Sequence, residues 1–321
     1  MYPSISKPAR SMENDTIMLN CSLKTPTAIQ VVTAMDTLAL VLFVTLTTMA
    51  AVAVAVGAEA AGHFLRVESS SVQLSRLLWV NEAGPVLTIL ACVGMWVPRA
   101  AMFMDHAASI YVGCYLHSFM ELMLSESGNE GWPFSRWATL RLRTGPLCCC
   151  CLCLPNPRLT SRWLTALRCG TLQTAILRPL LVLFSLLVWA EGMASGNWEN
   201  ANSMLESALG YVLGASTLLA IWVLSMAFFI VRNFTLPRPH LTARFALNQV
   251  LVLFVTLQSN VLRKLSSAGI IPCIPPFSRH AQATSMDHQL LIIEMFVVTL
   301  TSHRLYRHPV KQTEAALKIR A

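Results

Sequence analysis

From Thr37 to Ala58 the chain reads TLALVLFVTLTTMAAVAVAVGA, without one ionisable side chain. As a helix rising 1.5 Å per residue, such a run crosses the roughly 30 Å hydrocarbon layer of a bilayer. A second uncharged run, Ser207 to Val231, repeats the pattern. In water these two faces would need cover that a chain of 321 residues does not carry. Of those residues 55% are hydrophobic and 12% charged, and the mean hydropathy is +0.55, against about 25% charge in an ordinary soluble domain. The composition therefore specifies an all-α integral membrane protein. The first thirty residues hold Lys7, Arg10, Glu13, Asp15 and Lys24 and no apolar core, so no cleavable leader is expected and the first span serves as the signal.

Scanning for further apolar lengths gives seven expected spans, at about 37–58, 77–97, 100–124, 171–190, 207–231, 245–262 and 285–305. Glu82 and Gly84-Pro85 interrupt the second, and Arg178-Pro179 lies inside the fourth. Lys and Arg orient them. With the N-terminus outside, the inner segments hold sixteen basic residues and the outer segments seven, leaving Arg178 alone within a span. The expected organisation is an extracellular tail at 1–33, a bundle at 34–305 with a cytosolic loop at 125–170, and a cytosolic tail at 306–321. This distribution accounts for the net charge of +8 without nucleic acid.

Two sequons, at Asn14 and Asn20, fall on the outer tail and are expected to be glycosylated. The inner loop carries Cys148, Cys149, Cys150, Cys151 and Cys153 in TGPLCCCCLCLPNP. Cytosolic thiols stay reduced. Adjacent cysteines diverge and the loop has no histidine, so a zinc set is disfavoured and no metal or cofactor is expected. Juxtamembrane cysteines in a basic loop suit S-acylation, which would pin the loop to membrane lipid; a run of free thiols is the alternative. Cys21 and Cys273 both fall outside and form the candidate disulfide pair.

Several pieces occur together along the chain: Gly94-Met95-Trp96-Val97-Pro98-Arg99, Thr144-Gly145-Pro146 before the cysteines, Gln173, Gly214 to Trp222, and Arg244 to Leu251. Leu257-Gln258, Cys273-Ile274-Pro275-Pro276-Phe277-Ser278 and His288 to Glu294 follow. In this order they resemble the alpha subunit of the organic solute transporter. The resemblance implies facilitative transport of bile acids, conjugated steroids and similar amphipathic anions. It also implies a single-span beta subunit as partner and a basolateral plasma-membrane location, reached through the endoplasmic reticulum. The other function classes weighed are a seven-span receptor and a lipidated, non-transporting adaptor. The rhodopsin-type motifs at the ends of spans three and seven are missing, and so are Walker, HExxH and GxSxG signatures, so no enzyme activity is expected.

Ionisable groups at membrane depth are costly and face protein or water. In span three, His106, Ser109, Gly113, His117 and Glu121 return to one helical face. Span four adds Gln173, Thr174 and Arg178. Span six places Gln249, Thr256 and Asn260 at helical steps, with Gln258 beside them, and span seven adds His288 and Glu294. The expectation is that these stripes line an amphipathic path. Arg178 is expected to rest against Glu121 or Glu294, and an anionic substrate would take the place of that carboxylate.

Overall fold

The computed structural model describes residues 26–126, 161–195, 199–234, 240–272 and 277–320. Asn14, Asn20, Cys21, the five loop cysteines and Cys273 lie outside these residues. Among the described residues every regular element is helical. A short helix, α1 (Ala28–Ala34), carries a capping box in which Thr27 and Gln30 satisfy each other's backbone N–H groups. It leads into α2 (Thr37–Val67), the first span.

Span two is two helices, α3 (Ser71–Asn81) and α4 (Ala83–Trp96), bent by 46° at Glu82. Pro85 has no N–H to give the Asn81 carbonyl, so the helical ladder loses a rung at the bend. Span three is α5 (Ala101–Glu126). Span four is α6 (Ser161–Ser195), which runs through Pro179 and begins ten residues before the expected span, turning the end of the expected loop into helix. Span five is α7 (Glu199–Phe234). Span six is α8 (Leu241–Leu253), then a π-helical turn (Phe254–Gln258), then α9 (Ser259–Ser267). Span seven lies within α10 (Arg279–Arg320).

Four of these helices are long and apolar enough to cross a membrane, and the bent pair makes five. The expected spans three and seven are helices of sufficient length, but they carry more polar residues than a lipid-facing span. Packing explains the difference. Helix α5 is surrounded by α3, α4, α6 and α7, and α10 by α2, α4, α8 and α9. Val112, Leu116 and Met120 of α5 and Ile292 and Met295 of α10 are fully buried. Polar residues on such helices meet other helices in place of hydrocarbon. Outer helices show the reverse: Ile176, Leu180, Leu183 and Leu187 form an exposed apolar stripe on α6, at the steps that line one helical face.

Where Gly residues remove a side chain, helices approach closely. A Cβ on Gly94 would overlap the His288 ring, and one on Gly113 would sit 2.8 Å from the Thr174 carbonyl oxygen. Larger contacts complete the seams. Phe228 of α7 stacks on Phe245 of α8 with centroids 4.1 Å apart, and Trp96 Nε1 donates to Thr47 Oγ1 at 2.8 Å.

Candidate functional site

The polar face of α5 turns toward α6, and the two helices meet as a ladder. At one end Arg178 is held by α5 and α7 together. Its Nη1 donates to the Ser109 carbonyl oxygen at 2.9 Å and to Ser109 Oγ at 3.0 Å, and its Nη2 to Thr217 Oγ1 at 2.7 Å. The next rung is Gly113 against Thr174 and the Arg178 stem. His117 Nδ1 then lies 3.2 Å from Thr171 Oγ1. The last rung is Glu121, whose Oε1 accepts from Arg168 Nε and whose Oε2 accepts from Arg76 Nη2 of α3, both at 3.0 Å. Steps of four residues on α5 meet steps of three and four on α6, the spacing that keeps both rows on facing surfaces. From Ser109 to Glu121 the ladder runs about 18 Å along the helix axis.

Arg178 is 3% exposed, and every hydrogen-bond partner it has among the described residues is neutral. Its Nε has none there. The expected pairing with Glu121 or Glu294 is not made. Glu121 lies three rungs away and is taken by two other arginines. Glu294 is on α10, whose packing is with α2, α4, α8 and α9; its Oε2 is buried without a hydrogen-bond partner among the described residues. The result is a guanidinium at membrane depth that three oxygens orient and none neutralises.

A second polar cluster joins spans three, six and seven. The π-helical turn inserts one residue into the helical register. It breaks the expected Gln249–Thr256–Asn260 face, because residues past the turn are rotated relative to those before it. Thr256 and Asn260 bond back into their own helix, while Gln258 Nε2 donates to Asp287 Oδ1 at 3.2 Å and Ser259 Oγ donates to Asp287 Oδ2 at 2.6 Å. His288, 3% exposed, approaches Asp105 Oδ1 at 3.7 Å, and Arg263 Nη2 donates to Asp105 Oδ2 at 3.3 Å. Among the described residues no three His, Cys, Asp or Glu side chains converge as a metal set.

The ladder brings Glu121, His117 and Arg178 into one seam and leaves the remaining candidates apart from it. Gln258 and His288 belong to the second cluster. Gln173 and Gln249 are half-buried, each with an amide nitrogen that has no partner among the described residues, and His106 is half-buried one turn from Ser109. Sequence reasoning missed Arg168, Arg76, Thr217 and Asp287. Arg168 and Thr171 were within reach, because with Arg178 they repeat on one face of α6; Arg76, Thr217 and Asp287 come from other helices and left no periodic trace.

Residues 40–312 match the family described as Organic solute transporter Ostalpha. The chain is 33% identical over 289 residues to the organic solute transporter subunit alpha of Danio rerio, covering 89% of this chain and 88% of the relative. It is 33% identical over 299 residues to the protein of that name from Leucoraja erinaceus, covering 92% and 84%. To that from Homo sapiens it is 31% identical over 292 residues, covering 89% and 84%. No solved structure matches.

Proposed function

Because the chain belongs to the organic solute transporter alpha family, we propose that it carries amphipathic organic anions, bile acids and conjugated steroids among them, across the plasma membrane down their own gradient. It does so as the alpha subunit beside a single-span beta partner. In this reading all seven helices cross the bilayer, with the N-terminus outside, the C-terminus in the cytosol and the cysteine loop acylated at the inner leaflet. The location is the basolateral surface of an epithelium.

The observation that carries the reading is Arg178: a buried cation with oriented neutral partners and no carboxylate beside it among the described residues. Burying an unpaired charge costs several kcal/mol. A site that pays this cost gains when a mobile anion arrives, and a guanidinium suits sulfonate, sulfate and carboxylate groups alike. The rings of a sterol are apolar and need only the Leu, Met and Phe side chains that fill the bundle. Gln173 and Gln249, with amide nitrogens free of protein partners among the described residues, add donors that a passing head group can engage. His106, His117, Glu121, Gln258 and Glu294 complete the proposed polar lining.

The test is flux of labelled taurocholate into vesicles, with and without a coexpressed single-span subunit, comparing wild type with Arg178→Gln and Arg178→Leu at equal surface amount. Loss of the charge-assisted bond is expected to raise the half-saturation concentration tenfold or more, since such bonds contribute about 1.5–3 kcal/mol. Equal half-saturation and rate in all three proteins would remove Arg178 from the substrate path.

A further inference from the structure

The other end of the ladder is built for the same chemistry. Glu121 is only 12% exposed and stands between two guanidiniums, Arg76 at 29% and Arg168 at 47% side-chain exposure. Two cations share one anion, so the cluster holds a net charge of +1 among the described residues. Each arginine commits one nitrogen to the carboxylate, Nε of Arg168 and Nη2 of Arg76. A guanidinium has five N–H donors, so the terminal fork of Arg168 is left facing outward. Arg168 is also in helical register with Thr171 and Arg178 on α6, about 15 Å from Arg178 along the axis. Between the two arginines the seam offers Thr171, Thr174 and His117.

Resting on the transport reading above, we propose that Arg168 and Arg76 form a second oxyanion subsite, at the cytosolic end of the ladder, with Glu121 as a tethered competitor for it. A monoanionic substrate there brings the cluster to neutrality: two guanidiniums, the Glu121 carboxylate and the substrate group. Glu121 limits how tightly the anion is held, because each substrate oxygen competes with a carboxylate already in place. Release to the cytosol then needs no large rearrangement. Arg178 holds the anion at depth, where nothing competes; Arg168 and Arg76 hold it near the surface, where something does.

This assigns opposite signs to two substitutions in one cluster. In proteoliposomes of phosphatidylcholine alone, with the beta subunit, Arg168→Gln raises the half-saturation for taurocholate about tenfold or more from the cytosolic face. The value from the external face stays unchanged. Glu121→Gln, nearly isosteric, lowers the cytosolic value. The two maximal rates shift in the compensating ratio, since a passive carrier keeps rate over half-saturation equal on both faces. A merely structural ion pair predicts losses of the same sign for both variants and no difference between faces, and that result overturns the proposal. So does an asymmetry that appears only when phosphatidylserine is added, which assigns the two arginines to a lipid phosphate. Should Arg168→Gln fail to fold, Arg168→Lys and Glu121→Gln carry the same comparison. A wild-type protein that moves no taurocholate defeats the transport reading itself, whereas transport with symmetric variants defeats only the second subsite.

Discussion

Replacing Gly113 by alanine tests the geometry on which the ladder depends. A Cβ at that position would lie 2.8 Å from the Thr174 carbonyl oxygen and 2.9 Å from Arg178 Cδ. Ordinary contact starts near 3.4 Å, so α5 and α6 must part by about 0.6 Å, or the Arg178 stem must bend aside. The carbonyl belongs to helix backbone and cannot yield alone. Parting by that amount stretches the Arg178 contacts to Ser109, now 2.9 and 3.0 Å, to about 3.5 Å, the edge of hydrogen bonding. Overpacking costs about 1–3 kcal/mol. Interhelical hydrogen bonds in membranes average about 0.6 kcal/mol, with about 1.7 as the upper end. Steric cost therefore leads, and the sum is about 2–3 kcal/mol. The melting temperature in nanodiscs should fall by several degrees, and the half-saturation for taurocholate should rise, because Arg178 loses its aim. Gly113→Ala with unchanged melting temperature and unchanged half-saturation would mean that the helices do not meet at this rung.

Two further outcomes follow from the same structure. Gln258→Leu removes the bond that ties the π-helical turn to Asp287 and leaves Ser259 as the carboxylate's remaining side-chain donor; nanodisc unfolding should show a loss of about 0.6–1.7 kcal/mol, and no loss would detach the turn from span seven. A membrane-impermeant maleimide should label the 148–153 cysteines only after the membrane is permeabilised and acyl groups are cleaved with hydroxylamine, whereas labelling on intact cells would invert the proposed orientation.

Much of this molecule is written locally. The uncharged runs at 37–58 and 207–231 specify spanning helices because no other structure satisfies so many backbone groups in lipid. Pro85 after Glu82 marks a break, and the structure bends there by 46°. The i, i+4 recurrence of Ser109, Gly113, His117 and Glu121 marks one face of α5, and that face is the one α6 covers. Periodicity stops at naming a face. It does not say which helix lies opposite, so Glu121 was matched to Arg178 when its partners are Arg76 and Arg168. Nor does it register an inserted residue: the π-helical turn at 254–258 rotates everything after it, and only the coordinates place Gln258 on Asp287. Helix formation depends on neighbours within four residues along the chain. Pairing of buried charges depends on which helices approach, and small residues such as Gly113 decide that approach by how close they let two backbones come.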